Sequence, residues 1–142
     1  MTAGYSGTPL TKKLGIKEGF RVSLVDAPDG FRGELLDLPP GVTFVTSVAT
    51  QIDLILYFVK SQSEMTRNFP RLAAKLKPNG MLWIAWPKRA SGVVTDLTDN
   101  SVREIGLRAG LVDVKVCAVN EIWSGLKFVI RVKDRPSMPK IS

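Results

Sequence analysis

One loop of the sequence brings together side chains that suit the binding of an anionic ligand. The segment WPKRASGVVTDLT, residues 86–98, combines an aromatic ring, two cations, a small Ser-Gly pair and several hydrogen-bonding side chains. Lysine and arginine bind carboxylates and phosphates, and arginine does so with two parallel hydrogen bonds. The candidate ligand-binding residues in this loop are Trp86, Lys88, Arg89, Ser91, Gly92, Thr95 and Asp96.

The same loop also has a purely structural interpretation. In that case Trp86 is a core residue, Lys88 and Arg89 are solvated, and residues 95–98 cap the following helix. The loop is longer than a minimal link between a strand and a helix, which favours a function. Both interpretations are open at the level of sequence.

Asp26 is a second candidate, because it ends the apolar run VSLVD. Ligands of α/β proteins bind at the carboxyl ends of parallel strands, where this carboxylate would be a polar contact in a pocket. Alternatively, Asp26 caps the next helix or closes an Asx turn before Pro28.

The residue types that are missing exclude several classes of enzyme. The 142 residues include no histidine and one cysteine, Cys117. Ser-His-Asp and Cys-His nucleophile pairs and histidine-ligated zinc sites are therefore excluded, and we predict no metal site. The single cysteine cannot form an internal disulfide, and we expect it to be a small buried residue of a strand.

The net charge of +7 is unevenly distributed. Residues 1–60 carry six basic and six acidic side chains, whereas residues 61–142 carry fourteen basic and seven acidic ones. Such an excess can form a surface for nucleic acid or another polyanion. The basic residues are scattered and accompany no RNA-binding aromatic motif, which favours solvated charge that keeps the protein soluble.

Hydropathy points to a cytoplasmic protein that does not contact a membrane. The longest apolar runs, LILYFV and MLWIAW, are far shorter than the ~20 residues needed to span a bilayer. The segment MTAGYSGTPLTKK lacks the apolar core of a signal peptide.

Strands that alternate with helices are predicted to position these candidates. Apolar β-forming runs predict strands at residues 21–26, 41–48, 52–60, 81–88, 111–119 and 125–132. Capping signals and helical periodicity predict helices within residues 8–15, 29–38, 61–77 and 100–109, and Pro70 should kink or divide the third. This order predicts an α/β fold with three layers: a mostly parallel sheet of about six strands, covered on both faces and closed by an antiparallel hairpin. We expect a single domain over residues 1–132 and a flexible tail over residues 133–142.

Three segments resemble the Rossmann-like methyltransferases. LGIKEGFRVSLVD resembles the lead into their first strand, AAKLKPNGMLWIAWP their fifth-strand region, and AGLVDVKVCAVNEIWSGLKFVIR their closing sixth and seventh strands. The resemblance covers most of residues 14–132 and implies a Rossmann-like sheet that lacks one strand–helix unit after the second strand. The chain is also similar to an uncharacterised bacterial family, a domain of unknown function, through MTAGYSGTPL, AWPKRASGVVTDLT and GLVDVKVCAVNEIWSGLKFV.

The methyltransferase resemblance implies S-adenosylmethionine as cofactor, yet three elements that would hold it are absent. The first strand is followed by Ala27-Pro28-Asp29-Gly30 instead of a glycine-rich turn, and the Pro28 ring removes an N–H. The second strand ends with Thr46, Ser47 and Thr50 but no acid, and no Asp/Asn-Pro-Pro-Tyr motif follows DLILYF.

We therefore predict a non-catalytic methyltransferase-like domain without a cofactor, which binds a small ligand or a protein partner at the carboxyl edge of its sheet. A methyltransferase with a non-standard cofactor loop is the first alternative, and a basic nucleic-acid-associated protein is the second. The shortened sheet predicts that the second strand lies at an edge, where a homodimer could cover it.

Overall fold

The computed structural model describes residues 8–46 and 48–135. In this part of the chain, helices alternate with strands as the apolar pattern predicts. The elements are α1 (Leu10–Leu14), β1 (Arg21–Val25), β2 (Thr43–Phe44), β3 (Ile52–Phe58), α2 (Gln62–Ala73), β4 (Leu76–Pro87), α3 (Asp99–Arg108), β5 (Leu111–Ala118) and β6 (Trp123–Ile130), with single 3-10 turns at Phe31–Glu34, Arg89–Ser91 and Val132–Asp134.

The described strands form one sheet in the order β2-β1-β3-β4-β6-β5. Strands β2, β1, β3 and β4 are parallel neighbours, whereas β6 is antiparallel to both β4 and β5. The α/β prediction is confirmed, but "mostly parallel" needs correction to a mixed sheet. The reason is that β6 inserts between β4 and β5, so the closing strands meet the sheet through antiparallel pairs.

Strand β2 lies at an edge of the sheet, as predicted, but it is much shorter than the predicted strand over residues 41–48. Two prolines, Pro39 and Pro40, precede it and cannot donate to a ladder. After two ladder bonds, from Thr43 N to Phe20 O and from Val45 N to Val22 O, the chain turns, and Ala49 N donates to Thr46 O. Ser47 lies outside the described residues.

The helix predicted at residues 29–38 is a single 3-10 turn, Phe31–Glu34. Gly30 begins it in the left-handed region, with φ of 80°, and Leu35 ends it in a non-helical conformation. The buried Phe31 side chain holds this turn against the sheet.

Two apolar clusters cover the two faces of the sheet. The seven residues of β3 are all buried, and from Leu54 to Phe58 they alternate between the two clusters. Helices α2 and α3 cover the first face, through residues such as Phe69 and Val102. The second face is covered by α1 and the 3-10 turn, through Leu14 and Phe31. The predicted layers are present, but the second is largely irregular.

Helix α2 follows its sequence signals closely. Ser61 caps it and accepts a hydrogen bond from Glu64 N at 3.3 Å. Pro70 neither divides nor ends the helix, which runs unbroken from Gln62 to Ala73. Pro70 lies close to the C-terminal end and is exposed, so that its missing N–H affects one bond on the solvent side.

Helix α3 begins one residue before its predicted start. Its capping box uses Thr98 and Ser101, with Ser101 as the third helical residue instead of the cap. Gly106 faces the sheet: a Cβ there would lie 2.7 Å from Cδ1 of Phe128 and closer still to Cε1 and Cζ. The helix therefore approaches β6 at a point where a side chain has no room.

No helix within residues 8–46 and 48–135 is long and apolar enough to cross a membrane. Of the tail predicted at residues 133–142, residues 136–142 lie outside the described part of the chain. The preceding residues form the last 3-10 turn, which Arg135 closes by donating from Nε to Ile130 O at 3.1 Å.

Candidate functional site

A cavity of about 630 Å³ lies at the carboxyl end of β4. Its walls come from the end of β4, the loop over residues 88–98, the start of α3 and the start of β6. Of the residues predicted from the sequence, five line this cavity: Trp86, Lys88, Arg89, Gly92 and Thr95. The predicted loop thus lies at the edge of the sheet where α/β proteins bind ligands.

The lining of the cavity combines apolar and polar residues. Trp86, which is 3% exposed and belongs to the core, contributes apolar surface together with Val93 and Leu97. Thr98 and Asn100 from the start of α3 contribute polar groups, as does Ser124 of β6. This combination suits a small molecule with an apolar body and a polar group.

Two cations stand at the rim of the cavity. Lys88 is half-buried and Arg89 is exposed. None of the ion pairs within the described part of the chain includes either side chain. Asp99, the first residue of α3, is the acidic residue of the lining. The balance of these charges favours a ligand with one anionic group.

Hydrogen bonds hold the loop in place. Ser91 donates from Oγ to Lys88 O at 2.6 Å and accepts from Val93 N at 3.2 Å, which closes a tight turn before Gly92. Gly92 ends this turn with φ of 76°, a conformation that favours glycine. Thr95 donates from Oγ1 to Lys60 O at 2.6 Å.

Asp96 connects the loop to the start of α2. Its Oδ1 accepts from Gln62 N at 2.8 Å, and Gln62 donates from Nε2 to Asp96 O at 2.6 Å. Asp96 and Ser91 do not line the cavity. Their contacts instead fix the backbone that carries Lys88, Arg89 and Thr95.

Asp26 does not join this cavity, because β3 separates the end of β1 from β4. It is exposed and adopts φ of 56°, in the left-handed region. Its carboxylate makes no hydrogen bond within residues 8–46 and 48–135, so that neither the Asx turn nor the cap considered from the sequence is formed there. Its negative charge contributes to raising the pKa of Tyr57, after burial, which is the main cause.

The crevice between β1 and β3 is the place where the strand order reverses, and thus where a Rossmann-like sheet would hold a nucleotide. Three buried aromatic rings pack beside it. The Phe58 ring makes edge-to-face contacts with Phe31, at 4.8 Å between centroids, and with Trp123, at 5.0 Å. The segment after β1 therefore packs directly onto the end of β3.

The backbone after β1 is also unsuited to hold a cofactor. The amides of Phe31 and Gly33 donate to Pro28 O and Gly30 O, so that the 3-10 turn consumes them. Pro28 has no amide to offer. No α-helix starts at this position, so the site lacks the N-terminal amides and the dipole with which a helix would bind an anionic group.

The end of β2 likewise offers no acid for the hydroxyl groups of a ribose. The guanidinium carbon of Arg32 lies 3.9 Å from the centroid of the Phe44 ring, and Val45 and Thr46 follow. At the place where a carboxylate would bind the ribose, the chain instead has the Arg32 guanidinium stacked on an aromatic ring. The described residues thus do not fit S-adenosylmethionine in the way that the methyltransferase resemblance implies. No cluster of histidine, cysteine, aspartate or glutamate able to hold a metal occurs in the described part of the chain.

Some cavity residues were missed from the sequence. Thr98 was interpreted only as part of the cap of the next helix and Asn100 as the start of that helix, and Asp99 was not singled out. Ser124 could not be found by any local signal. It is brought opposite Trp86 by the antiparallel pairing of β4 and β6, far apart in sequence.

No protein-family model matches the chain, and no curated protein matches it either. The resemblance to an uncharacterised bacterial family therefore stays a prediction. Solved structures, in contrast, share the fold.

A methyltransferase from Aquifex aeolicus, described as S-adenosylmethionine-dependent, is 18% identical with a TM-score of 0.62, over 82% of this chain and 85% of the other. Fibrillarin from Aeropyrum pernix, solved with natively bound S-adenosylmethionine, is 12% identical with a TM-score of 0.59, over 89% of this chain and 70% of the other. A "possible exported protein" from Bordetella parapertussis is 14% identical with a TM-score of 0.61. This chain spans 65% of that protein, and 85% of this chain is covered. The methyltransferase-like fold is thereby confirmed, and at these identities the likeness shows the fold alone.

Proposed function

We propose that this methyltransferase-like domain is non-catalytic and binds a small anionic ligand at the carboxyl end of β4. The cavity of about 630 Å³ supports the proposal, because its volume lies in the range of small-molecule sites. A protein partner that inserts an acidic side chain at the same edge is the other occupant this site would suit.

The chemistry of the lining defines the ligand class. Lys88 and Arg89 bind one carboxylate or phosphate group, and Arg89 offers two parallel donors to it. The apolar body of the ligand lies against Trp86 and Val93. Asp99 disfavours a second negative charge on the ligand, since like charges in a partly enclosed site repel each other.

The absence of catalysis is proposed on the basis of the cofactor crevice. Phe31 and Phe58 pack together beside it, and the amides of the 3-10 turn are already used. A methyltransferase of this fold needs a close backbone approach to its cofactor. The alternative, a methyltransferase with a non-standard cofactor loop, requires that this segment open.

Calorimetric titration with S-adenosylmethionine tests the non-catalytic part. We expect no binding heat at micromolar protein concentration. A dissociation constant in the micromolar range would overturn this part and favour the enzyme alternative. A Phe31→Leu variant removes the aromatic contact but keeps an apolar side chain. Binding of S-adenosylmethionine by this variant alone would mean that the aromatic contact blocks the crevice, whereas no binding by either protein would mean that the crevice lacks groups to hold the cofactor.

Amide chemical shifts test the ligand site, with benzoate and inorganic phosphate as probes. We expect shifts in residues 86–100 and in Ser124, and a loss of affinity of about tenfold or more in Arg89→Gln, since a hydrogen bond to a charged group contributes about 1.5–3 kcal/mol. Arg71→Gln, on the exposed side of α2, is the matched control. The proposed site would be contradicted if these amide shifts were absent, or if Arg89→Gln and Arg71→Gln lost the same affinity.

A further inference from the structure

Two lysines face each other on the side of the sheet away from α2 and α3. Lys115 of β5 and Lys127 of β6 are direct partners in the antiparallel pair. Like charges placed directly opposite on a sheet destabilise it. Neither lysine belongs to an ion pair within the described part of the chain. The fold therefore tolerates a local repulsion that a single carboxylate would relieve.

A third lysine, Lys17, follows the helix that Trp83 holds next to this pair. The Trp83 indole donates from Nε1 to Leu14 O at 2.9 Å, which anchors the end of α1 at the edge of the ring. Nζ of Lys127 lies 6.0 Å from the centroid of the same ring. Lys17 follows α1 closely and is exposed. The pKa of Lys127 is lowered first by burial, and then by the positive charges of Lys115 and Lys17.

Positive side chains also act on Cys117, which lies two residues after Lys115 on the same strand. Burial raises the pKa of this thiol, while Lys13, Lys115 and Lys127 act in the opposite direction. No carboxylate is among the groups that shift the pKa of Cys117 or Lys127. Glu18, next to Lys17 in sequence, is exposed and forms no ion pair in the described residues.

We propose that Lys17, Lys115 and Lys127 form a binding site for the phosphate backbone of a nucleic-acid duplex. Lysines act as mobile point charges that contact phosphates without reading bases. A single strand is a poorer fit, because it gains affinity by stacking on exposed aromatic rings, and the Trp83 ring is fully buried. This surface lies on the opposite face of the sheet from α3, and it is independent of the cavity at Lys88 and Arg89.

Fluorescence anisotropy with a labelled 20-base-pair duplex of random sequence tests the proposal. Three phosphate contacts predict that affinity falls about 40-fold between 50 and 200 mM salt, because each contact contributes a slope of about −0.9. The double variant Lys115→Gln/Lys127→Gln keeps one contact, and its affinity should fall only about fourfold over the same range. The control Lys75→Gln/Lys133→Gln removes the same charge elsewhere and should retain the wild-type slope.

Replacing both lysines removes their mutual repulsion, so the double variant should keep or raise the thermal midpoint of the wild type, and a thermal unfolding curve checks that it is folded. Equal slopes in the two double variants would overturn the site. The choice of a duplex as ligand would be overturned if the protein bound the matching single strand, or vesicles with 30% phosphatidylserine, as tightly as it binds the duplex.

Discussion

Gly106 offers a sharp test of the packing between α3 and β6. In an exposed helix interior, replacing glycine with alanine stabilises a protein by up to about 1 kcal/mol. Here the new Cβ would overlap the Phe128 ring, at 2.7 Å from Cδ1 and closer to Cε1 and Cζ. Carbon atoms pack at roughly 3.5–4.0 Å, so the ring or the helix must move by about 1 Å or more.

The Phe128 ring cannot move aside without displacing neighbouring core residues. It is fully buried and makes an edge-to-face contact with Phe69, at 5.1 Å between centroids. Overpacking of a core costs typically about 1–3 kcal/mol. The overlap is severe, so the cost should lie at the upper end of this range; after subtraction of up to about 1 kcal/mol of helix propensity, we expect Gly106→Ala to lower the free energy of unfolding by about 2 kcal/mol.

Urea denaturation followed by circular dichroism at 222 nm measures this change. Gly33→Ala is the control, because a Cβ there meets no atom within 4 Å, and its stability should change by less than about 0.5 kcal/mol. Adding Phe128→Leu to Gly106→Ala should recover part of the loss as a non-additive coupling. A Gly106→Ala protein more stable than the wild type would refute the packing of α3 on Phe128.

Three further predictions concern single residues. Ser23 Oγ is buried without a hydrogen-bond partner in the described structure, so Ser23→Ala should raise the free energy of unfolding in urea by about 1 kcal/mol; a loss of that size would mean that the hydroxyl is bonded. Asp26 has φ of 56°, so Asp26→Gly should be about 1 kcal/mol more stable than Asp26→Ala in the same assay, and equal values would exclude the left-handed turn. The pKa of Lys127 is lowered from 10.5, so its charge disfavours the folded state at neutral pH. As pH rises through the lowered pKa towards 10.5, the folded state loses its proton first, and the stability advantage of Lys127→Met over the wild type should shrink; an advantage that stays constant would contradict the shift.

Local signals in the sequence predict much of this fold. Strand β3 is apolar at consecutive positions, which is typical of a strand covered on both faces. Gly15 and Gly110 both have positive φ, and each lies where the sequence predicts the end of a helix. Ser61 caps α2 as its spacing from Glu64 indicates. In each case the relevant contacts lie within a few residues.

Long-range pairing explains what could not be predicted. The position of β6 between β4 and β5 is decided by partners that are distant in sequence, and it makes the sheet mixed. The short length of β2 and the 3-10 turn at Phe31 depend on how that segment packs on β3. Neither the contacts among the rings of Phe31, Phe58 and Trp123 nor the pairing of Lys115 with Lys127 has a local signature.

The candidate site is intermediate between these cases. Its loop could be identified because it follows an apolar strand and combines cations with small residues, and Trp86, Lys88 and Arg89 do line the cavity. Ligand binding by these residues stays a prediction. Ser91 and Asp96 are also polar, but both make hydrogen bonds to the backbone. The bond of Ser91 to Lys88 O lies within the loop itself, whereas the contact of Asp96 with Gln62 N depends on the position of α2.

The insertion of β6 beside β4 has a consequence for synthesis on the ribosome. Until residues 123–130 have left the exit tunnel, the edge of β4 next to the deeply buried Trp83 and Ile84 has no hydrogen-bonding neighbour. A nascent chain at that stage exposes the unpaired backbone groups of an apolar strand, with which any other extended segment can pair. Chaperone dependence during translation should therefore be greatest just before β6 emerges.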